Sequence, residues 1–179
     1  ITYNDKDPWP TSPDGDGYSI VLISPETNPD HSVPTNWRAS AVSGGTPGRG
    51  NNTTFTGDPS ADNDGDGLTA LLEYALGSTQ GDAGFSPESI PRSGTDFFDD
   101  GAGNFKEYLT LTYRRNLAAD DILFEVQVSS DLISWDPLVT TAVSATSNED
   151  ETETVIWRSL TPFEDQDRNF IRLRVAQKP

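Results

Sequence analysis

The residues of this chain best suited to chemistry are three aspartates that alternate with asparagine and glycine. The run Asp62-Asn63-Asp64-Gly65-Asp66-Gly67 is followed by five residues and then by Glu73. This spacing matches the calcium-loop pattern D-x-[DN]-x-[DN]-G-x5-E, in which the fixed glycine allows a sharp turn. Calcium is a hard cation that takes roughly six to eight oxygen ligands. The run therefore predicts a calcium site.

Each ligand position of such a loop has a candidate in this sequence. The three aspartates supply carboxylates, the residue after the glycine supplies its backbone carbonyl, and the distal glutamate can bind through both oxygens. The predicted ligands are Asp62, Asp64, Asp66, the Leu68 carbonyl and Glu73. Asp58 and Asp82 flank the motif and are candidates for an additional ligand shell.

The motif needs an element that carries its distal glutamate, and the next residues predict a helix. Apolar residues recur there at the spacing of one helical face, namely Leu68, Leu71, Leu72, Ala75 and Leu76. Gly77 is a typical helix stop. Gly57 and Pro59 precede the motif and exclude an entering helix. The segment therefore resembles the single loop-plus-helix calcium motifs of dockerin and thrombospondin type 3 repeats, with calcium as the implied cofactor.

Composition limits the range of partners. The chain has 179 residues and a net charge of −17, so nucleic acid and anionic membranes are not expected partners. It has no cysteine and no apolar run long enough for membrane insertion. Such acidity predicts a secreted or extracellular protein and leaves attachment to the cell surface open. Methionine is absent even at the first position, so we expect a processed product or a fragment of a longer chain.

The chain divides into three predicted parts, residues 1–57, 58–84 and 85–179. In the first part, Ile1–Tyr3 and Tyr18–Ile23 are typical of strands, and the remainder is predicted to be loop, anchored by Trp37. Two strands are too few for a stable sheet. We therefore expect these strands to pair outside residues 1–57, with the third part, with another copy or with missing upstream sequence. The second part contains the calcium motif and its helix.

The third part predicts a small antiparallel β-sandwich, because apolar residues alternate with polar ones in several runs. The predicted strands are Phe97–Phe98 and Phe105–Arg114, joined as a hairpin, and then Phe124–Val128, Val155–Trp157 and Ile171–Val175. Trp135 is predicted to join the core. The predicted fold class is thus mainly β, an immunoglobulin- or fibronectin III-like sandwich preceded by the calcium motif and a partial immunoglobulin-like segment.

Two further stretches resemble known modules. Residues 1–48, with Pro8-Trp9-Pro10, Asp14-Gly15-Asp16-Gly17-Tyr18-Ser19 and Asn36-Trp37-Arg38, resemble the last strands of bacterial lamin-tail domains. The third part, with the runs at 124–135 and 170–175, is similar to C-terminal modules of large secreted planctomycete and verrucomicrobial proteins. Those modules look like fibronectin type III sandwiches. The resemblance implies no catalytic role.

Other candidate sites are weaker. His31 is the only histidine and lies in a polar loop, where we expect it to be solvated, so no Ser–His–Asp set can be formed. Trp9 and Trp37 are candidates for a sugar-stacking platform, although aromatic residues more often build the core of a small β domain.

The sequence therefore predicts a non-catalytic, calcium-binding structural or adhesive module of an extracellular protein. Two alternatives remain open. One is a self-assembling subunit that pairs through strand edges, with other copies as partners. The other is a carbohydrate-binding module with a polysaccharide partner, which an exposed row of aromatic rings would favour.

Overall fold

The computed structural model describes residues 3–50, 52–78, 90–165 and 168–179. These residues form a mainly β, sandwich-like fold with antiparallel sheets and a single short α-helix, which confirms the predicted fold class. No helix among them is long and apolar enough to cross a membrane. The elements in chain order are β1 (Ile20–Leu22), β2 (Trp37–Ala39), α1 (Ala70–Leu76), β3 (Arg92–Asp99), β4 (Phe105–Asn116), β5 (Ile122–Ser129), β6 (Thr140–Ser147), β7 (Thr152–Pro162) and β8 (Phe170–Gln177).

The N-terminal segment, which comprises the described residues before 58, contains an internal strand pair. β1 pairs with β2 in an antiparallel register that places Ile20 opposite Ala39. Our expectation that β1 pairs outside residues 1–57 was therefore wrong, and so was the prediction of a loop around Trp37. The three residues of β2 are too few for alternation to reveal a strand. Ile1 and Thr2 lie outside the described residues, and Tyr3 lies outside any strand.

Two antiparallel sheets build the sandwich, which comprises β3 to β8. One sheet has the order β3-β4-β7-β6, and the other consists of β5 and β8. Across the sandwich, β8 contacts β4 and β5 contacts β6. The five strands predicted between residues 97 and 175 are present, and the first two form the predicted hairpin. β6 was missed, because its residues, Thr140–Ser147, are small and mostly polar.

The core lies between the two sheets, and the helix closes one end of it. Leu111 and Tyr113 of β4, Val126 of β5 and Val155 of β7 pack with Leu76 of the helix, which is 1% exposed. The α-helix is therefore part of the same core as the strands. Trp135, which was predicted to join the core, is instead half-buried under the Arg172 guanidinium, 4.0 Å from the ring centroid.

A glycine is required at the end of the helix. Gly77 has φ 74°, a left-handed conformation that residues with a side chain rarely adopt. A Cβ at this position would also lie 2.5 Å from Cγ2 of Thr152 in β7. The predicted helix stop is thus confirmed, and it allows the helix to approach the sheet closely.

Two adjacent aspartates in the loop between β4 and β5, which we call the junction, join the parts of the chain. Arg38 of β2 donates to both carboxylate oxygens of Asp120, at 2.7 and 2.8 Å. The Tyr74 hydroxyl of the helix donates to Asp121 at 2.9 Å, and the Phe55 backbone N–H donates to the same carboxylate at 2.8 Å. The junction therefore binds the N-terminal segment and the helix to the sandwich.

Candidate metal centre

The acidic loop, residues 62–73, brings its three aspartates together. One carboxylate oxygen from each of Asp62, Asp64 and Asp66 lies within 4.8 Å of the other two. Like charges at this separation repel one another, and water weakens this repulsion without removing it. The arrangement is one that a bound cation would stabilise.

Backbone N–H groups hold each aspartate in a fixed orientation. Asp62 accepts from Gly65 N at 2.8 Å through one oxygen and from Gly67 N at 3.1 Å through the other. Asp64 accepts from Asp66 N at 3.2 Å, and Asp66 accepts from Leu68 N at 2.7 Å. These bonds wrap the backbone around the side chains and hold the carboxylates close together, although Asp62 remains exposed.

The glycines allow the loop to close on itself. Gly65 and Gly67 have φ values of 78° and 93°, in the left-handed region. After the second glycine the backbone returns to the beginning of the loop, where the Ala70 backbone N–H donates to the Ala61 carbonyl at 2.6 Å. The helix then begins at Ala70, after Thr69 in an extended conformation. Because the apolar spacing began at Leu68, the sequence had suggested a slightly earlier start.

Glu73 is the unusual group of the loop. It lies on the helix, is 1% exposed, and its Oε2 atom has no hydrogen-bond partner within the described residues. Burial raises its pKa, and the charges of Asp64, Asp66 and Asp62 raise it further. A buried carboxylate without a partner is costly. The charges of the three aspartates therefore act on Glu73, although its carboxylate is not part of the 4.8 Å group that they form. Among the described residues no side-chain cation forms a salt bridge with it.

A second unsatisfied atom points to the same chemistry. Oδ2 of Asp64 is buried and also has no partner within the described residues. Two orphaned carboxylate oxygens, one from the loop and one from the helix, offer hard anionic ligands. The residues present fit a calcium ion, with the Leu68 carbonyl next to them in sequence.

Of the two flanking acids, Asp58 lies within the described residues, and it does not join this group. Asp58 is exposed, and its Oδ1 accepts from the backbone N–H of Ser60 at 2.9 Å and from its hydroxyl at 2.7 Å. These bonds lower its pKa. Asp58 thus closes a local turn and is not among the converging carboxylates. Asp82 lies outside the described residues.

The aromatic candidates lie elsewhere, in the N-terminal segment. Trp9 is 7% exposed and packs edge-on against Tyr3, with ring centroids 5.5 Å apart. Trp37 is half-buried, 6.4 Å from Trp9, and its indole N–H donates to the carbonyl of His31. The His31 ring packs against Trp37, so this histidine is only partly solvated. Trp9 and Trp37 do not form the exposed row of rings that would favour sugar binding.

The junction was not foreseen from the sequence. Asp120 and Asp121 form an ordinary acidic pair in a loop, and their partners lie up to 82 residues away. No local pattern connects an arginine in β2 with an aspartate after β4. Only the tertiary structure reveals that these acids hold three parts of the chain together.

Comparison of the chain with protein-family models, curated proteins and solved structures finds no match. The resemblances to lamin-tail, fibronectin type III and dockerin modules therefore remain predictions.

Proposed function

We propose that this protein is a non-catalytic, calcium-binding structural module of an extracellular protein. The proposal rests on the buried Glu73 carboxylate. One of its oxygens has no hydrogen-bond partner among the described residues, and the charges of the three converging aspartates raise its pKa. Calcium would be held by these four side chains and by the Leu68 carbonyl. We expect an affinity on the order of 10⁻⁴ to 10⁻³ M, as in other extracellular modules.

The role of the ion follows from where the helix is anchored. Glu73 and Leu76 lie on the same short helix, and Leu76 is buried among Leu111, Tyr113, Val126 and Val155. An ion that binds Glu73 would therefore attach the acidic loop to the sandwich core. Because metal binding needs the folded loop, its free energy adds to the stability of the fold. The result is a rigid connection suited to a structural or adhesive protein.

Isothermal titration calorimetry of the full chain with calcium tests the proposal. We expect saturable binding of a single ion and weaker binding of magnesium, which prefers a smaller, octahedral site. Asp58→Asn is the matched control, because it removes a nearby charge that does not converge on the site. Absence of heat with millimolar calcium would refute the proposal.

A second candidate function, self-assembly through strand edges, is favoured by one side of the sandwich. Within the described residues β8 pairs only with β5, which leaves its other edge unpaired. On the same side, Phe97 of β3 and Phe105 of β4 are 60% and 71% exposed. Phe97 is opposite Glu107, on the sheet face that Leu109 and Leu111 occupy. A strand from another copy would pair with β8 and cover these rings.

Light scattering at rising protein concentration tests this second candidate. We expect the mean mass to rise with concentration in the parent chain, and to stay that of a monomer in the double variant Phe97→Lys, Phe105→Lys. The result should not depend on calcium, because these residues lie at the far end of the sandwich from the acidic loop. A monomeric mass for the parent chain at every concentration would exclude assembly.

A further inference from the structure

A cavity of about 330 Å³ lies where the N-terminal segment meets the sandwich. Small-molecule sites usually have volumes of roughly 300 to 1,000 Å³ and often lie between two structural units. The residues that define its chemistry are Trp37, Tyr113, Phe124, Trp157, Arg115 and Lys178. The cavity is separate from the acidic loop, whose residues do not line it.

Much of the cavity wall is aromatic. Tyr113 and Phe124, from the two facing sheets, stack with ring centroids 5.8 Å apart and an interplanar angle of 16°. Trp157 of β7 and Trp37 of β2 contribute further indole surface. Flat rings of this kind favour a ligand with a flat apolar body, since such a body gains contact area and offset stacking.

The charged residues of the cavity wall are both basic, in a chain whose net charge is −17. Arg115 forms a buried ion pair with Glu153. Lys178 differs, because its ammonium forms no salt bridge within the described residues. It donates instead to two neutral acceptors, Oγ of Ser24 at 2.8 Å and the carbonyl of Asp120 at 2.5 Å. An ammonium group has three donors, so one remains for a ligand.

Two of the three acids near Lys178 have other partners. The Asp120 carboxylate is bound through both oxygens by Arg38. The Asp121 carboxylate accepts from the Tyr74 hydroxyl and the Phe55 backbone N–H. Burial lowers the pKa of Lys178, and the charges of Asp120, Glu26 and Asp121 offset this effect only in part. Among the described residues, none of these carboxylates forms a salt bridge with the half-buried cation.

A neutral donor completes the polar side of the cavity. The Trp157 indole N–H is buried and forms no hydrogen bond of good geometry within the described part of the chain. The Tyr113 hydroxyl is near enough to interact with it. Buried donors normally find an acceptor. A ligand oxygen in the cavity would supply one.

We propose that this cavity binds a small carboxylate that carries a flat aromatic body. The aromatic wall takes the body, and the free donor of Lys178 and the Trp157 N–H take the carboxylate oxygens. This site goes beyond the calcium-binding role, and its occupancy does not require the acidic loop to change.

Three probes separate the contribution of the aromatic ring from that of the carboxylate charge. Phenylacetate has both the ring and the charge, phenylacetamide has only the ring, and acetate has only the charge. Binding is followed on the full chain in saturating calcium, by two-dimensional proton–nitrogen NMR of the indole N–H groups. We expect phenylacetate to shift the Trp157 and Trp37 signals saturably, with a dissociation constant on the order of 1 mM. Trp135 lies outside the cavity wall, and its signal should not move.

The charge comparison decides the proposal. Phenylacetamide and acetate should each bind at least about tenfold more weakly than phenylacetate. Phenylacetamide loses the charge-assisted hydrogen bond, and acetate loses the ring contact. Lys178→Gln should weaken phenylacetate by about tenfold and leave phenylacetamide unchanged. The control Lys106→Gln removes a lysine paired with Glu164 and Asp165 and should change neither. Equal binding of acid and amide to the parent chain, or no saturable shift with phenylacetate, would overturn the proposal.

Discussion

Two turns of this chain are built from the same kinds of residue, yet only one of them makes its carboxylates converge. In the acidic loop, Asp62, Asp64 and Asp66 approach one another, and the buried Glu73 faces them. The hairpin turn between β3 and β4, residues 99–104, also consists of aspartate, glycine and asparagine with one alanine, but all six residues are exposed.

Backbone N–H groups bind the acids of both turns, so the difference lies in the buried Glu73 of the acidic loop. Asp99 Oδ1 accepts from the N–H groups of Gly101 and Gly103, at 2.7 and 3.1 Å. Asp100 Oδ1 accepts from Ala102 N at 2.8 Å and from Asn104 N at 3.2 Å. Both acids therefore serve the turn, and no buried carboxylate from a following helix faces them. Acidic composition alone therefore does not support an ion site, and our calcium proposal rests on the buried distal carboxylate of an anchored helix.

Removing the anchor of the helix should have the largest effect. Leu76→Ala is expected to lower the free energy of unfolding by about 3 kcal/mol, because it empties a fully buried position. Phe105→Ala beside the hairpin turn removes a side chain that is 71% exposed and should cost less than about 0.5 kcal/mol. Urea denaturation in chelator measures both changes. Equal losses would show that the helix is not anchored more firmly than the turn.

Neutralising the distal carboxylate should act on the ion more than on the fold. Glu73→Gln is expected to weaken calcium binding by at least about 100-fold, since even outer-shell substitutions cost about 10- to 100-fold. Without calcium the variant should be as stable as the parent chain or more stable, because the amide removes a buried charge that faces three others. Calorimetry and urea denaturation test the two halves. A variant that loses stability equally with and without calcium would contradict this role.

A smaller effect is expected at the junction. Tyr74→Phe removes the hydroxyl that donates to Asp121 and should lower the free energy of unfolding by about 1 kcal/mol. Hydrogen exchange should then be faster in the helix and near Phe55, whose N–H shares that carboxylate. The β3–β4 hairpin turn should not respond. Unchanged exchange in the helix would show that this hydrogen bond does not hold it.

The smallest effect is expected from Asp99→Asn, which is matched with Asp62→Asn. Asp99→Asn should change calcium affinity by less than about twofold, because an exposed charge that does not contact the ion is screened by salt. Asp62→Asn should weaken binding by at least about tenfold, as it weakens a ligand. Calorimetry at equal ionic strength compares the two. Similar losses would mean that overall charge, not loop geometry, attracts calcium.

The candidate site was largely predictable from the sequence, because every proposed ligand lies within one local motif. The same is true of the antiparallel strands with clear alternation, such as β4 and β5. β6 was not predictable, since small polar residues carry no such signal. The core position of Leu76 and the partners of Asp120 were not predictable, because they depend on contacts between residues that are distant in sequence. The same is true of Lys178, because the cavity that it lines forms only in the folded chain. Trp135 shows the converse error, because an aromatic residue near a strand end need not enter the core.

The most direct test of the central claim is a crystal structure of the full chain grown with calcium, with anomalous scattering to locate the ions. We predict one calcium at the acidic loop, bound at roughly 2.3 to 2.6 Å by about six to eight oxygens, with both oxygens of Glu73 among them. The hairpin turn between β3 and β4 should hold none. Calcium at the hairpin turn, or an acidic loop in which Glu73 remains without a bound ion at saturating calcium, would contradict the account.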